Sequence, residues 1–462
     1  MKQQEQLLLV YYGDDFTGST DALEFLTLAG VKTVLFLKQP ESNDVARFAG
    51  IQAIGFAGKS RSLSPVEMET ELVPTFEKLK QLNPTQVHYK VCSTFDSAPH
   101  VGNIGKAIEI GSRIFDQKTV MVSPGAPHLG RFFAFGNLFA SMGTAGIGEI
   151  YRIDQHPSMS QHPVTPALEG DLRVHLAKQT NKSIALVNIT QIEKGKEAIL
   201  TSVSENKETD ILFFDAVNTT HLQNIGSVFN ELAKEKTLFS VGSSGIEMAL
   251  GLDWKQKGTL NDKEKVFEMV REVSLLLVLS GSCSPITANQ IEYALNNGFE
   301  QIALETNTLN EDFQAEIITR TVVQLVENFK QGKSTILHTS TGPSDIRIAE
   351  SEAYFAQKGF GKNEIQKQCS KIYGKVLGQI TKEVLARFPL PRILFAGGDT
   401  SSYAASELDI IALEMIAPLA LGAPLCKAVS DDVLVDGVEM NFKGGQVGPP
   451  DYFIKVLKGE KI

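Results

Sequence analysis

The sequence predicts an α/β protein of two domains, each on a mostly parallel sheet. The two are expected to face one another across a cleft, with additional antiparallel strands in the C-terminal domain. Three observations carry this expectation. The chain has 462 residues, more than one hydrophobic core usually serves. Short buried-strand runs alternate with amphipathic stretches of helical length, the pattern of βαβ units in a doubly wound sheet. The alternation breaks once, in the polar segment DWKQKGTLNDKEKVFEMVREV (253–273), and restarts beyond it. Domains are therefore expected at 1–254 and 272–462, with the second part of the break read as a connecting helix.

The elements follow in order. LLLVYY (7–12), VKTVLFL (31–37), IQAIGFAG (51–58), VHYKVCST (87–94), TVMVSPG (119–125), SIALVNI (183–189), ILFFDAV (211–217) and TLFSVGSSG (237–245) read as buried strands. Between them lie helical patterns such as TDALEFLTLAG, ending in Gly30, and GNIGKAIEIGSRIF. The second half restarts with SLLLVLSGSCSP (274–285), QIALETN (301–307), STILHTSTGP (334–343) and RILFAGGDTSS (392–402). KAVSDDVLVDGVEMNFKGGQVG then changes character. Its short alternating runs, broken at DG and GG, predict antiparallel strands joined by tight turns.

Composition narrows the function classes. Hydrophobic residues make up 42% and charged residues 21%, and the formal net charge is -10. That balance argues against nucleic acid or an anionic membrane as partner, and it requires an anionic substrate to be met by local donors. The apolar run in MKQQEQLLLVYYGDD is too short for a signal peptide, and no stretch of about 18 apolar residues suggests a membrane span. Cys92, Cys283, Cys369 and Cys426 are scattered without metal-ligand spacing, which reads as reduced thiols in the cytoplasm.

Chemistry-bearing residues gather where predicted strands end. In YYGDDFTGSTDALEF a strand runs into Asp14 and Asp15 before a helix. Adjacent carboxylates there suit sugar hydroxyls or a general base, and they are costly to bury without a ligand. Ser19, Thr20 and Asp21 are equally suited to capping that helix. In HYKVCSTFDSAPHVGNIGKAIE a strand delivers Lys90, Ser93, Thr94, Asp96 and Ser97 ahead of a glycine-opened helix, a surface for polyols or anions. PGAPHLGRFFAFGNLF offers Arg131, whose fork matches a carboxylate. His156 and His162 each precede a proline, and a metal there would need a third ligand that the spacing does not show.

The second half has a phosphate-like element, FAGGDTSSYAASELDIIALE. Gly397, Gly398, Asp399, Thr400, Ser401 and Ser402 join a buried strand to a helix. Glycines let backbone amides close on phosphate oxygens, and the helix dipole favours the anion. Neither GxxxxGK[ST] nor GxGxxG is present. Ser280, Ser282 and Ser284 end another strand, and Lys443, Gly444, Gly445 and Gly448 form what reads as a flexible basic loop. Each of these also reads as an ordinary capped helix or turn.

Taken in order, GDDFTGSTDALE, KVCSTFDSxxxxGNIG, MSQHPVTP, GSCSPxTxxQ, GGDTSS and KGGQVG resemble the landmarks of the four-carbon acid sugar kinase family. The resemblance spans nearly the whole chain. It implies a sugar-acid-binding N-terminal domain, an ATP-binding C-terminal domain, and phosphorylation of a compound such as threonate, erythronate or 3-oxo-tetronate at its terminal hydroxyl. It implies that Asp14, Asp15, Lys90, Ser93 and Asp96 line the acid site, and that Ser282, Gly397 to Thr400 and Gly445 contact ATP. On this reading Lys90 and Arg131 hold the substrate carboxylate, Asp15 is the candidate base, and ATP is bound with Mg²⁺. The expected partners are the small acid and ATP alone, with a homodimer left open. The chain departs from the family pattern in PGAPHLGRFFAF, where PxFPxxGRTT is usual, and in KGGQVG, where KSGNFG is usual. Phe132 and Phe133 thus leave room for a larger or more apolar acid. The rival readings are a non-catalytic sugar-acid sensor and an NAD(P)-dependent oxidoreductase. The first would lack the nucleotide loops, and the second needs an early GxGxxG.

Overall fold

The computed structural model describes residues 6–142, 148–162, 164–260 and 267–462. The chain divides into two compact units, Met1–Lys265 and Val266–Ile462.

The first unit contains β1 (Leu9–Gly13), β2 (Thr33–Phe36), β3 (Ala53–Ala57), β4 (Gln86–Lys90), β5 (Val120–Ser123), β6 (Arg131–Ala134), β7 (Asn137–Met142), β8 (Glu149–Arg152), β9 (Ile184–Val187), β10 (Ile211–Phe214) and β11 (Leu238–Gly242). Eight of these lie side by side in the order β2-β3-β1-β4-β11-β5-β10-β9, each pair parallel. Each of the eight apolar runs of the first half supplies one of them. β1, β2, β4, β10 and β11 are buried at every residue, as expected where helices cover both faces of a parallel sheet. The chain leaves β1 for one side of the sheet and returns to place β4 on the other. The carboxyl ends of β1 and β4 therefore flank the point where the winding reverses, the ligand position in open α/β sheets.

The second unit contains β12 (Leu277–Ser280), β13 (Glu300–Ala303), β14 (Thr335–His338), β15 (Arg392–Ala396), β16 (Ile410–Ala420), β17 (Ala423–Ser430) and β18 (Glu439–Lys443). Their order is β13-β14-β12-β15-β18-β17-β16. Pairing is parallel from β13 to β18 and antiparallel from β18 through β17 to β16, so the antiparallel strands expected near the C-terminus are present. Winding reverses here between β12 and β15. Arg392, fully buried, ties this sheet together: it donates to Glu439 Oε2 at 2.7 Å, to the Val456 carbonyl, and to the Arg271 carbonyl at 2.9 Å.

Two features depart from the sequence reading. The glycine- and aromatic-rich stretch around Arg131 forms a hairpin, and β6, β7 and β8 make a small antiparallel sheet. Its turn places both Phe135 and Gly136 at positive φ (50° and 79°), the conformation that matches hairpin twist. A phenylalanine is strained there. Asp215, just past β10, holds it by accepting from the amides of Phe135 (2.6 Å), Gly136 (3.1 Å) and Ile189 (2.9 Å). Second, the helix Gly245–Gln256 ends at Gln256, and the described residues 267–273 form no connecting helix. Val273 instead donates to the Leu457 carbonyl at 3.0 Å, so this stretch docks on the terminal helix Tyr452–Lys458.

The helices Thr219–Leu232 and Gly245–Gln256 touch backbone to backbone at Gly226, where an added Cβ would lie 2.0 Å from the Ala249 carbonyl oxygen. Gly226→Ala is expected to cost about 1–3 kcal/mol, since backbone cannot rotate away. Urea unfolding checks this, and an unchanged midpoint would remove the close approach as a constraint.

Candidate active site

At the end of β1 the backbone is fixed before any side chain is considered. The Asp14 amide donates to the Lys90 carbonyl at 2.8 Å and the Arg61 amide to the Asp14 carbonyl at 3.0 Å. Three strand ends are thereby locked together, and they bring Asp14, Arg61 and Lys90 to one place. Arg61 binds both carboxylates. Its Nη2 lies 2.7 Å from Asp14 Oδ1 and 2.9 Å from Asp15 Oδ1, its Nη1 donates to Asp15 Oδ2 at 2.9 Å, and its Nε to Asp14 Oδ2 at 3.2 Å. Burial opposes the guanidinium charge, but Asp14 and Asp15 outweigh it and hold the Arg61 pKa well above its ordinary value. Burial likewise lifts the Asp14 carboxyl above its usual range, against the pull of Arg61 and with the repulsion of Asp15.

The two aspartates are not equivalent. The Asp14 side chain is 3% exposed and that of Asp15 is 19% exposed, so Asp15 is the one an acceptor can reach. Asp15 also caps the helix Phe16–Leu28, its Oδ1 accepting from the Gly18 amide at 2.8 Å. That corrects the capping alternatives. Ser19 donates to the Asp15 carbonyl and Thr20 to the Thr17 carbonyl, while Asp21 pairs through Oδ2 with Lys90 Nζ at 3.2 Å. Gly18 sits beneath this arrangement, because a Cβ there would lie 2.5 Å from Asp15 Oδ1 and 2.9 Å from Lys90 Nζ. Burial opposes the Lys90 charge, yet Asp21, Asp15 and their neighbours hold its pKa above the ordinary value.

Beyond β4 the loop bends at Phe95, whose φ is 59°. Ser93 is half-buried, and Asp96 Oδ1 accepts from Thr94 Oγ1 at 2.8 Å. Cys92, beside Thr94, has its thiol pushed up to about 11, by burial first and then by the charge of Asp96. Arg131 lies within electrostatic reach of Cys92 and Asp96, and burial lowers its pKa. Its Nη1 donates to the carbonyls of Leu129, Gly130 and Ser141, while its Nε is buried with no partner among the described residues. Phe133 is fully buried against Phe213 and lies in the core. His156 and His162 accept from amides of their own loop, at Ser158, Met159 and Thr165.

In the second unit the strand-end loops converge where the winding reverses. The Gly281 amide donates to the Ala396 carbonyl and the Gly397 amide to the Lys443 carbonyl, both at 3.0 Å. Gly397, at φ 129°, would place a Cβ 3.3 Å from the Ser282 amide nitrogen, and a Cβ on Gly445 would lie 2.6 Å from Ser282 Oγ. Thr400 packs on Gly281, whose added Cβ would come within 2.3 Å of its methyl. Ser282, Gly397, Thr400 and Gly445 are thus gathered. Gly398, first residue of the helix Gly398–Ser406, has open space where a Cβ would stand. The Asp399 side chain lies outside the described residues. Amides and hydroxyls at a helix start make an anion cradle.

Lys443 is not part of a flexible loop. It is the last residue of β18, fully buried, with Nζ donating to Thr287 Oγ1 at 3.1 Å and lying 5.6 Å from the Tyr452 ring centroid. The loop after it is docked as well: Thr287 donates to the Gly445 carbonyl, and Gln290 to those of Val447, Gly448 and Pro449.

Arg61 is the residue that sequence reasoning misses. The available signal is a lone arginine in KSRS, directly after the strand run IQAIGFAG, which makes a third polar loop at the same end of the same sheet.

The chain matches the family models described as sugar-binding N-terminal domain, over residues 9–250, and nucleotide-binding C-terminal domain, over residues 277–453. It is a two-domain protein of the class that joins a sugar-binding unit to a nucleotide-binding one. The 3-oxo-isoapionate kinase of Paraburkholderia graminis is 38% identical over 98% of this chain and 94% of its own. The 3-oxo-tetronate kinase of Pseudomonas savastanoi is 26% identical over 98% and 97%, and that of Cupriavidus necator 25% over 98% and 96%. The chain belongs to the four-carbon acid sugar kinase family. In fold it is similar to a crystal structure from Salmonella typhimurium, with a TM-score of 0.75 at 22% identity over 97% of this chain and 98% of that one. A structure from Haemophilus influenzae gives 0.68 at 22%, over 96% and 98%.

Two predictions follow from these geometries. Arg61→Met removes the main counter-charge of two adjacent carboxylates and is expected to destabilise by about 3–5 kcal/mol near neutrality. The deficit should shrink towards about pH 4, where carboxylates protonate; denaturant unfolding at both values tests it, and an equal deficit at both would refute the electrostatic account. Burial lowers Lys443 from its ordinary 10.5 to about 7. The unfolded chain keeps this proton up to the higher value and the folded chain sheds it above the lower. The group therefore opposes folding most below pH 7, and the penalty fades as pH rises between the two. Lys443→Met should raise the unfolding midpoint more at pH 7 than at pH 9.5, and the same increment at both would contradict the burial argument.

Proposed function

We propose that this chain transfers the γ-phosphoryl group of ATP to a hydroxyl of a small 3-oxo sugar acid, with the acid on the first unit and ATP on the second. The observation that carries the reading is the Asp14–Asp15–Arg61 fork at the winding reversal of the first unit. It supplies fixed acceptors for sugar hydroxyls at a position where ligands bind. The acceptor class rests on the relatives, since both kinase names among them specify a 3-oxo acid. The terminal hydroxyl is the favoured position.

Charge decides the roles. Lys90 is committed to Asp21 and Arg61 to both aspartates, so each is a poor clamp for an incoming carboxylate. Arg131 keeps an unpartnered Nε among the described residues and is assigned the substrate carboxylate, while Ser93 and Asp96 are assigned to the hydroxyls. Asp15 is assigned the base. As the acceptor oxygen attacks, its proton passes to Asp15, the new O–P bond forms, and the bond between the β–γ bridging oxygen and the γ-phosphorus breaks to release ADP. Such transfer needs mainly positioning and charge neutralisation. The amides and hydroxyls around Ser282, Gly397, Gly398, Thr400 and Gly445 hold the phosphates. Among the described residues no group of three His, Cys, Asp or Glu gathers; Mg²⁺ would be held by the phosphates of ATP, whose charge it would lower.

ADP release over a panel of four- to six-carbon sugar acids, including 3-oxo acids, tests the reading. Release that depends on the acid supports it, and no release with any acid removes it. Asp15→Asn is expected to lower turnover by about 10²–10⁴-fold with ATP affinity unchanged. Turnover like that of the wild type would dismiss Asp15 as the base.

A further inference from the structure

The turn that carries Arg61 rests on two tyrosines to which the proposed chemistry gives no role. Arg61 is the middle residue of the short turn Ser60–Ser62, which follows β3. A guanidinium on a flexible stem needs a fixed origin if it is to hold two carboxylates at once. The backbone of the turn supplies part of it. The Ser62 amide donates to the Lys59 carbonyl and the Leu63 amide to the Ser60 carbonyl, both at 3.1 Å. Gly102 closes over the turn, since an added Cβ there would lie 2.6 Å from the Arg61 carbonyl oxygen.

Beneath it, Tyr12 on β1 and Tyr89 on β4 stand opposite one another in the parallel register. Their buried rings stack with centroids 5.9 Å and planes 7° apart, and Phe76 packs edgewise on both. The hydroxyls reach out of this apolar stack to the turn. Tyr89 meets Ser60 Oγ at 2.8 Å, and the Tyr12 hydroxyl accepts from the Lys59 amide at 3.4 Å. Ser60 is fully buried, so its hydroxyl has no water to exchange for Tyr89. Burial holds both phenols above their ordinary range, and they stay protonated at any pH where the protein works. Apolar burial alone would be served as well by phenylalanine, which brings no polar group to satisfy. Each hydroxyl is instead spent on one of the two residues that precede Arg61, and a hydrogen bond adds the direction that packing lacks.

Building on the reading of Asp15 as the base, we infer that Tyr89, acting through Ser60, is the positioning residue that aims Arg61 at the aspartate pair and so keeps Asp15 presented to the acceptor hydroxyl. Tyr12, at a longer contact, braces the same turn through the Lys59 amide. Without the Tyr89 bond the turn slackens, and the Arg61 fork loses its fixed approach to Asp15.

The test is steady-state kinetics of Tyr89→Phe, Ser60→Ala and the double variant beside the wild type, with ATP and the acid that gives most ADP release in the panel. Both kcat and kcat/KM are followed from pH 4.5 to 8. Tyr89→Phe deletes one oxygen and keeps the ring stack. It is expected to lower kcat about tenfold to a hundredfold, with KM for ATP unchanged. A slack Arg61 also withdraws counter-charge from the pair, so the acid limb of kcat/KM should move up by about half a pH unit to one. The other ionisable neighbours of the pair are Lys90, with its partner Asp21, and Cys92 beyond it. The substitution touches none of them, so a moved limb reports Arg61. Ser60→Ala should act alike, and the double variant should lose no more than either single, because the two share one bond. If Tyr89→Phe does not fold, Ser60→Ala carries the same kinetic test. A lower unfolding midpoint with kcat and the limb unchanged makes the bond merely structural and overturns the inference, as do additive losses in the double variant. Asp15→Asn is assayed alongside: turnover like that of the wild type removes the base reading itself. An inactive Asp15→Asn beside an unaffected Tyr89→Phe removes the positioning alone.

Discussion

Two carboxylates leaving a buried strand side by side repel each other and lose water together, and the guanidinium of Arg61 is what allows Asp14 and Asp15 to coexist. The rest of the first unit is arranged around that requirement. Arg61 arrives from the loop after β3 and Lys90 from the end of β4, and both strands flank β1. The amide bonds from Asp14 to Lys90 and from Arg61 to Asp14 hold the charges in register before any ligand arrives. Gly18 has no side chain because Asp15 and Lys90 occupy the space one would need. Asp15 caps a helix and faces the site at once, so helix and site share one anchor.

The same topological logic gives the second unit a different chemistry. Where winding reverses in the first unit, the loops carry charge; where it reverses in the second, they carry glycine and hydroxyl groups. Backbone amides suit the many oxygens of a phosphate chain, since they bring partial positive charge without bulk. Gly281, Gly397 and Gly445 permit that by letting three loops meet without Cβ atoms between them. Lys443 supports the cradle through its carbonyl, which accepts from the Gly397 amide, while its amino group is buried against Thr287 and Tyr452.

Much of this was legible in the sequence, for a definite reason. Buried parallel strands write themselves as continuous apolar runs, and the polar residues that end them stand at the ligand edge of the sheet. That made Asp14, Asp15, Lys90, Ser282 and Gly397 to Thr400 readable as candidates. What was not legible depends on partners remote in sequence. Arg61 matters only because β3 lies beside β1, and a short polar turn does not announce its neighbour. The β6–β7 hairpin relies on Asp215 to hold Phe135 at positive φ, so its turn lacks the usual residue pair. Lys443 reads as a turn residue because KGG is turn-like, whereas register with Ala396 makes it a buried strand end. Arg131 was readable as a cation, but its neighbouring carbonyls were not.

An acidic protein that binds an acid must keep some positive charge uncommitted, and here nearly all of it at the site is spent internally. Arg61 neutralises two aspartates and Lys90 a third, and on the proposed reading Arg131 is left to receive the carboxylate of the substrate. One cation gives attraction without selectivity, because every sugar acid carries the same anionic end. Discrimination must then come from the other end, where acceptors differ in number and placement of hydroxyls. A site rich in fixed acceptors is strict there, since a missing hydroxyl leaves a buried oxygen unpaired while an added anion meets like charge. The carboxylates that seem out of place in an acid-binding site are, on this argument, the means by which it tells one acid from another.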